Sequence, residues 1–212
     1  MKQQKLSYRL FGRFSKQYNQ FLRLFGYEQS VRFFVSQIPL EEAAPLHILD
    51  VGCGTGVYTK ALAKRFPNAQ IVAFDMNADM VAQLESDMAT EFPDIVCAVS
   101  THDITQPLLA YPQAPFDLII ASGVLEYAPL TETVAMLAQQ LKSDGLFYYS
   151  PLRDSAYGRL IGFIYQCIPH TETATIAAFA AAGLTPTLAR RLSLFHPASF
   201  KDMRIFQKKR AQ

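Results

Sequence analysis

Short apolar runs with strand character recur along the middle of the chain. They cover residues 46–51, 70–74, 95–99, 116–121 and 146–150. Runs such as 117–121, which reads Asp-Leu-Ile-Ile-Ala, are apolar at successive positions and therefore on both faces of a strand. Strands of this kind are typical of a parallel sheet that helices cover on both sides.

Segments with a helical pattern lie between several of these runs. In residues 77–89 apolar side chains recur every three to four positions, Asn77 stands where a helix cap is expected, and Asp79 falls in the first turn. The same spacing predicts a helix over 131–142, which the Ser-Asp-Gly sequence of 143–145 is expected to end. The apolar positions are Met80, Val81, Leu84 and Met88 in the first segment and Val134, Leu137, Ala138 and Leu141 in the second. Strands that alternate with helices predict an α/β fold with a doubly wound, mainly parallel sheet.

Two further segments are expected to cover the open end of this sheet. Residues 1–38 mix aromatic and basic side chains and are predicted to form a helical cap, and residues 151–170 are predicted to form a roof over a pocket. Residues 46–150 then make the ligand-binding core. Residues 171–212 make a C-terminal helix, which Thr171 or Thr173 is expected to cap, and strands. At 212 residues the chain fits one domain of ordinary size.

The composition is that of a soluble folded protein, since half of the residues are apolar and 18% are charged. No apolar run reaches the roughly 20 residues that cross a bilayer, and no secretory leader is recognisable. We therefore expect a cytoplasmic protein without a transmembrane segment. Cys53, Cys97 and Cys167 include no CxxC pair, which indicates reduced thiols and neither a disulfide framework nor a metal site.

The net charge of +2 conceals two basic ends and an acidic middle. Residues 1–38 carry seven Lys or Arg and one acid, residues 39–189 carry six and sixteen, and residues 190–212 carry seven and one. This distribution fits ordinary solvated surfaces. It also fits attraction to an anionic substrate, a carrier protein or a lipid surface, so contact with a membrane surface is left open.

A glycine-rich turn follows the first strand, in the sequence ILDVGCGTGVYT of residues 48–59. The strand, the turn and a helix start bring backbone N–H groups and the positive end of the helix dipole to one point, where nucleotide-like ligands bind. The dinucleotide fingerprint requires glycine at position 57, which is valine here. Asp50, two residues before Gly52, would repel a pyrophosphate at a cost on the order of a few kcal/mol. An NAD(P)-dependent oxidoreductase is therefore disfavoured, and a cationic adenosyl ligand is favoured.

The segment LDVGCGTG, with the residues that follow to about position 151, resembles the class I S-adenosylmethionine-dependent methyltransferases. The similarity is to the small-molecule group of the type 11 and type 12 families, which includes enzymes of the ubiquinone and menaquinone pathways. The resemblance implies a Rossmann-like, mainly parallel sheet of seven strands with an antiparallel C-terminal strand and added N-terminal helices. It also implies S-adenosylmethionine as the cofactor.

The family pattern places cofactor contacts at the ends of successive strands. An acid that ends the second strand grips the ribose hydroxyls, and here it is Asp75, 19 residues after the last glycine of the turn. An acid after the third strand pairs with the adenine amino group, and here it is Asp103. Tyr18 resembles part of a YD element found near the start of many relatives, although Asn19 replaces its acid. The expected cofactor-binding residues are Tyr18, Asp50, Gly52, Cys53, Gly54, Gly56, Asp75, Met76, Asp103, Ile104 and Ser122.

Methyl transfer is an in-line displacement at a carbon that the sulfonium already activates, so no metal and no nucleophilic side chain are expected. An acceptor that must lose a proton would benefit from a general base after the fourth strand or in the roof. The candidates for this base are Glu126, Tyr127, His102 and His170. Of these, Glu126, Tyr127 and His170 are predicted as catalytic residues. Relatives often have histidine directly after the glutamate that corresponds to Glu126, and this chain has Tyr127 at that position.

The expected acceptor is a small hydrophobic or aromatic metabolite, because the predicted roof is apolar. The alternative is a methyl ester on a malonyl group held by acyl carrier protein, since FGRFSKQYN resembles the enzymes that make it and the basic ends suit an acidic carrier. The tryptophan that those enzymes usually show after the fourth strand is absent. A nucleic-acid acceptor is not expected, because the prolines and aromatic residue of nucleobase methyltransferases are missing at the same place. A non-catalytic binding module that keeps the fold is the remaining alternative.

Overall fold

The computed structural model describes residues 26–108, 111–192 and 199–209, and within them seven strands form one sheet in the order β3-β2-β1-β4-β5-β7-β6. Strands β1 to β5 are parallel, and β7 runs antiparallel to both of its neighbours. The strands are β1 (His47–Val51), β2 (Gln70–Asp75), β3 (Val96–Thr101), β4 (Phe116–Ser122), β5 (Leu141–Ser150), β6 (Leu184–Arg191) and β7 (Asp202–Lys208). The predicted doubly wound α/β fold with an antiparallel C-terminal strand is confirmed.

Helices cover both faces of the sheet. They are α1 (Tyr27–Ser36), α2 (Val57–Arg65), α3 (Ala78–Glu91), a 3-10 turn (Leu125–Tyr127), α4 (Leu130–Gln139), α5 (Ala156–Tyr165) and α6 (Glu172–Ala181). Strand side chains alternate between the two hydrophobic layers, so Tyr148 packs with α1 and α2 while Phe147 and Tyr149 pack with α4 and α6. No helix in the described ranges is long and apolar enough to cross a membrane.

Two of the predicted helix starts carry the expected caps. Asn77 Oδ1 accepts hydrogen bonds from the backbone N–H groups of Asp79 (3.0 Å) and Met80 (3.3 Å) at the start of α3. Thr171 Oγ1 accepts one from Ala174 N–H (3.2 Å) at the start of α6. Each cap satisfies an N–H group that has no partner within its helix, and so fixes where the helix begins.

The helix predicted over residues 131–142 ends earlier, at Gln139, and this part of the prediction is wrong. Leu141 pairs with Phe116 as the first residue of β5, and the register then shifts so that Leu118 faces Leu146. Leu141 continues the apolar spacing of the helix and is also buried as a strand residue. Its periodicity therefore fits both elements, and only pairing with β4 decides between them.

Helix α1 supplies the described part of the predicted N-terminal cap. Its apolar side chains, including Phe34 and Val35, are buried against α2. The Arg65 guanidinium donates hydrogen bonds to the carbonyls of Val35 and Ile38, where a cation favourably meets the helix C-terminus. This anchoring places Tyr27, the first residue of α1, over the carboxyl ends of the central strands.

Phe179 joins α6 to the sheet, and its removal is expected to destabilise the fold. Its ring stacks on Phe206 with centroids 3.9 Å apart and meets Phe147 edge-on at 5.0 Å. Phe179→Ala should lower the free energy of unfolding in urea by about 3–5 kcal/mol, because the cavity left behind cannot fully close. Phe163→Ala, at a side chain that is 82% exposed, is the matched control and should change it by less than about 0.5 kcal/mol. Equal losses for both variants would contradict the packing described.

Candidate active site

A cavity opens at the carboxyl ends of β1, β2 and β4, which is the rim where ligands bind in open α/β sheets. The empty space at this rim is about 760 Å³, including the open mouth. The lining residues are Tyr27, Asp50, Gly52, Cys53, Gly54, Thr55, Val57, Tyr58, Asp75, Met80, Ser122, Gly123, Tyr127 and Tyr165. The cavity therefore contains the glycine-rich turn, the ends of three strands and residues of α1 and α5.

The turn between β1 and α2 needs glycine at two positions for reasons of space and backbone angle. Gly52 has φ +68° and Gly56 has φ +81°, in the left-handed region that favours glycine. A Cβ on Gly52 would lie 2.5 Å from Val124 Cγ2, and one on Gly56 would overlap Leu84. The turn is thus wedged between the segment after β4 and helix α3, with its backbone against the cavity.

Asp75, at the end of β2, fastens this turn. Its Oδ2 accepts a hydrogen bond from Gly54 N–H (2.9 Å), and its Oδ1 accepts one from Asn77 N–H (2.9 Å). The side chain is only 2% exposed, and burial raises its pKa despite these two donors. Each carboxylate oxygen has two acceptor positions, so Asp75 keeps capacity for further donors from the cavity.

Asp50 lies in the floor of the cavity and is 1% exposed. Its Oδ2 accepts a hydrogen bond from the Thr59 hydroxyl (2.6 Å). Burial raises the pKa of Asp50 to about 7, and the nearby charge of Asp75 acts in the same direction. A cation that enters the cavity would favour the ionised form of Asp50 and lower this pKa.

Aromatic hydroxyl groups form much of the remaining wall. Burial raises the pKa of Tyr27 and of Tyr58 to about 12, so both phenols stay protonated at neutral pH. Tyr58 lies 3.0 Å from the hydroxyl of Tyr148, and Tyr127 donates its hydroxyl proton to the carbonyl of Tyr165 (2.9 Å). This wall offers neutral hydrogen-bond donors and ring faces and is a poor source of bases.

Seven of the predicted site residues line one cavity. They are Asp50, Gly52, Cys53, Gly54, Asp75, Ser122 and Tyr127. Gly56 shapes the same turn without lining it. Burial holds the pKa of the Cys53 thiol well above its usual value, which agrees with a packing role. That these residues bind a cofactor stays a prediction.

The residues predicted to contact the adenine lie outside the cavity wall. Met76 is 41% exposed, and Ile104 is buried in the hydrophobic layer next to α4. Asp103 Oδ1 accepts hydrogen bonds from the backbone N–H (2.9 Å) and the hydroxyl (2.7 Å) of Thr105, so it stabilises its own turn. Tyr18 lies outside the described residues. The predicted cofactor contacts of these four residues therefore rest on the sequence alone.

Two of the three candidate bases are also set back from the cavity. Glu126 Oε1 accepts a hydrogen bond from Leu152 N–H (2.7 Å), and His170 Nε2 lies 3.1 Å from the carbonyl of Leu125, to which it can only donate. Both contacts tie the turn after β4 to the segments that flank α5. Of the three candidates only Tyr127 lines the cavity, and the role of any of them as a base stays a prediction.

Several residues of the wall were missed by sequence reasoning. Tyr27 and Tyr165 come from α1 and α5, in segments for which the sequence predicts only a cap and a roof. Thr55, Val57 and Tyr58 directly follow the recognised glycines, so their position was available from the sequence. Met80 was assigned to the buried face of α3, and spacing alone does not show that this face ends at the cavity.

A cleft at the carboxyl edge of a doubly wound sheet, floored by a glycine turn and two buried acids, defines a Rossmann-like ligand-binding domain. Residues 48–145 match the family model described as "Methyltransferase domain". This match covers just under half of the chain and agrees with the predicted resemblance to the class I methyltransferases.

Curated relatives and solved structures agree with this family. The chain is 29% identical over 151 residues to the malonyl-[acyl-carrier protein] O-methyltransferase of Acetivibrio thermocellus, covering 71% of this chain and 50% of that one. It is 36% identical over 108 residues to the enzyme of the same name from Halalkalibacterium halodurans, covering 50% and 39%. The chain thus spans about half or less of the length of these relatives. The chain also superposes on the structure of geranyl diphosphate C-methyltransferase from Streptomyces coelicolor A3(2) in complex with S-adenosyl-L-homocysteine. The TM-score is 0.70 at 13% identity, and the superposition covers 85% of this chain and 75% of that one.

The raised pKa of Asp50 makes stability depend on pH in a defined direction. A carboxyl group with a higher pKa in the folded than in the unfolded chain binds more protons when folded, so stability falls as pH rises from about 4 to about 7. Asp50→Asn should remove up to about 3 kcal/mol of this fall, measured by urea unfolding at pH 4.5 and 7.5. Asp79→Asn, at an exposed acid, should leave the pH dependence as it is in the parent protein. An unchanged dependence in Asp50→Asn would show that Asp50 is not buried as described.

Proposed function

We propose that this protein is an S-adenosylmethionine-dependent methyltransferase. The observation that carries the proposal is the pair of buried carboxylates, Asp50 and Asp75, at the two sides of one glycine turn in one cavity. Anionic groups on a ligand would be repelled there, and cationic groups would be attracted. A phosphate-bearing dinucleotide fits this charge poorly, whereas a ligand with an ammonium and a sulfonium group fits it well.

The residues present match the parts of such a cofactor. Asp75 has spare acceptor capacity for the ribose hydroxyls, and the glycine turn lets the backbone come close to the ligand. Asp50 would hold the cationic amino-acid part, and the cofactor would supply a methyl group on a positively charged sulfur. The tyrosine wall would exclude water and orient the acceptor, which is where most of the rate enhancement of an in-line displacement arises.

The acceptor proposed first is a small hydrophobic or aromatic metabolite. Support comes from the ring faces of Tyr27, Tyr127 and Tyr165, which come together from α1, the turn after β4 and α5. An acceptor of this kind would bind by apolar burial and hydrogen bonds to the neutral phenols. A role in the cytoplasmic biosynthesis of small molecules goes with this proposal and rests on the sequence analysis.

A second candidate acceptor is a malonyl group on acyl carrier protein, which becomes a methyl ester. The names of the two curated relatives favour it, and the basic chain ends suit an acidic carrier surface. A carboxylate acceptor has no proton to lose, so it needs no general base. This agrees with a wall in which the phenols of Tyr27 and Tyr58 have raised pKa values and two of the candidate bases are held elsewhere.

Titration with ligands tests the proposed cofactor. In calorimetry S-adenosylmethionine and S-adenosylhomocysteine should each bind at about micromolar concentration, and NADH should give no heat. Affinity for the cationic cofactor should rise as pH increases through about 7, because the ionised form of Asp50 then predominates. Binding of NADH without binding of either adenosyl ligand would refute the proposal.

Removal of the second-strand acid tests the site. Asp75→Ala should weaken binding of S-adenosylmethionine by about 10- to 100-fold, because hydrogen bonds to a charged acceptor are lost. Asp79→Ala removes an exposed acid from the first turn of α3 and is the matched control, with affinity expected to stay within about twofold of the parent. Circular dichroism would verify that both variants remain folded. Undiminished affinity in a folded Asp75→Ala variant would show that the assignment of Asp75 is wrong.

A further inference from the structure

Lys201 carries a buried charge that the fold does not pair. It lies just before β7, is 7% exposed, and donates one hydrogen bond, from Nζ to the carbonyl of Ser150 (3.1 Å). Within the described ranges no carboxylate forms an ion pair with it, and the remaining segments of the sequence contain no Asp or Glu. An ammonium group can donate three hydrogen bonds, and burying it without a partner is costly.

The acids nearest to Lys201 form no ion pair with it. Asp202 forms ion pairs with Arg153 (3.3 Å), Arg191 (3.4 Å) and Arg204 (3.7 Å). Glu126 lies in the same region, where its charge and that of Lys201 act in opposite directions on the pKa of Cys167. One oxygen of Glu126 is bonded to Leu152 N–H, and the other is buried with no hydrogen bond among the described residues. Glu126 and Lys201 thus both act on Cys167 but do not form an ion pair with each other.

Lys201 lies next to a residue of the cavity wall, Gly123. Gly123 lines the cavity, and a Cβ added there would lie 2.6 Å from Lys201 Nζ, so the ammonium lies directly against the bare backbone of Gly123. The charge of Lys201 also acts on Tyr58, another residue of the wall. Lys201 meets this wall at Gly123, which follows β4, and bonds to Ser150 at the end of β5. The acids proposed to hold the cofactor lie at the ends of β1 and β2.

We propose that Lys201 binds the carboxylate of the methyl acceptor and thereby selects a carboxylic acid as substrate. This inference rests on the proposed function and names the chemical class of its acceptor. An acceptor oxygen attacks the methyl carbon, the carbon–sulfur bond breaks with its electron pair left on sulfur, and a methyl ester and a neutral thioether result. No proton moves, so the step agrees with a cavity wall that lacks an available base.

The test compares two lysines of the same terminal segment. Lys201→Met keeps the length of the side chain and removes the charge, and the Ser150 carbonyl still accepts a hydrogen bond from Gly123 N–H (3.1 Å). Lys208→Met is the matched control, because Lys208 Nζ donates to the carbonyls of Ala138 (2.7 Å) and Leu141 (2.6 Å) and acts as a structural group. Both variants and the parent protein would be assayed with S-adenosylmethionine and three acids: malonyl-acyl carrier protein, an aliphatic acid and an aromatic acid.

The parent protein should form a methyl ester, detected by mass spectrometry, on at least one acid and no product on the matching amide. In Lys201→Met the KM for that acid should rise by about 10- to 100-fold with a smaller change in kcat, because the ion pair exists already in the bound ground state. Its melting temperature should equal or exceed that of the parent, whereas Lys208→Met should melt lower with an unchanged KM.

Each contrary result has a distinct meaning. A parent protein that binds S-adenosylmethionine and methylates none of the acids, or a Lys201→Met variant with unchanged KM, would overturn the role of Lys201 and leave the proposed function standing. If Lys201→Met instead loses about tenfold or more in affinity for S-adenosylmethionine, the carboxylate of the cofactor is the partner, and the acceptor proposal is wrong. Failure of the parent to bind S-adenosylmethionine would overturn both proposals.

Discussion

Two carboxylates buried close together at the ends of β1 and β2 determine what the cavity can hold. Asp75 fastens the glycine turn through Gly54 N–H, and its charge helps to raise the pKa of Asp50 beneath the same turn. The fold tolerates this repulsion because backbone and hydroxyl donors meet both side chains. A positively charged ligand would relieve the remaining cost, so the architecture of the turn and the preference for a cation have one electrostatic origin.

The wall near Gly123, after β4, has the reverse character. There the buried cation of Lys201 lies against Gly123, and the hydroxyl groups of Tyr27, Tyr58 and Tyr127 belong to residues of the same cavity. A site with acids on one side and an ammonium on the other can separate a cationic cofactor from an anionic acceptor. Such an arrangement also brings opposite charges of the two ligands toward each other, which favours the in-line approach that methyl transfer requires.

The side chains predicted to be catalytic hold the roof to the sheet. Glu126 and His170 hold the turn after β4 to the segments around α5, and Tyr127 reaches Tyr165 across the same junction. These contacts position the tyrosine wall, although all three groups were predicted as catalytic candidates. Polar residues in the turn after β4 can therefore serve to hold that turn in place, without contact to the ligand.

Some features of this protein followed from local sequence alone. Alternating apolar runs and 3.6-residue spacing gave the order of strands and helices, and Asn77 and Thr171 marked helix starts, because these signals come from neighbouring residues. The glycines of LDVGCGTG and the following Asp75 identified the turn and its acid for the same reason. Tertiary structure decided the rest. Pairing with β4 made Leu141 a strand residue, and packing of α1 and α5 brought Tyr27 and Tyr165 to one wall. The same packing left Lys201 buried without an acid beside it, since burial and charge pairing depend on segments far apart in the chain and no local pattern encodes them.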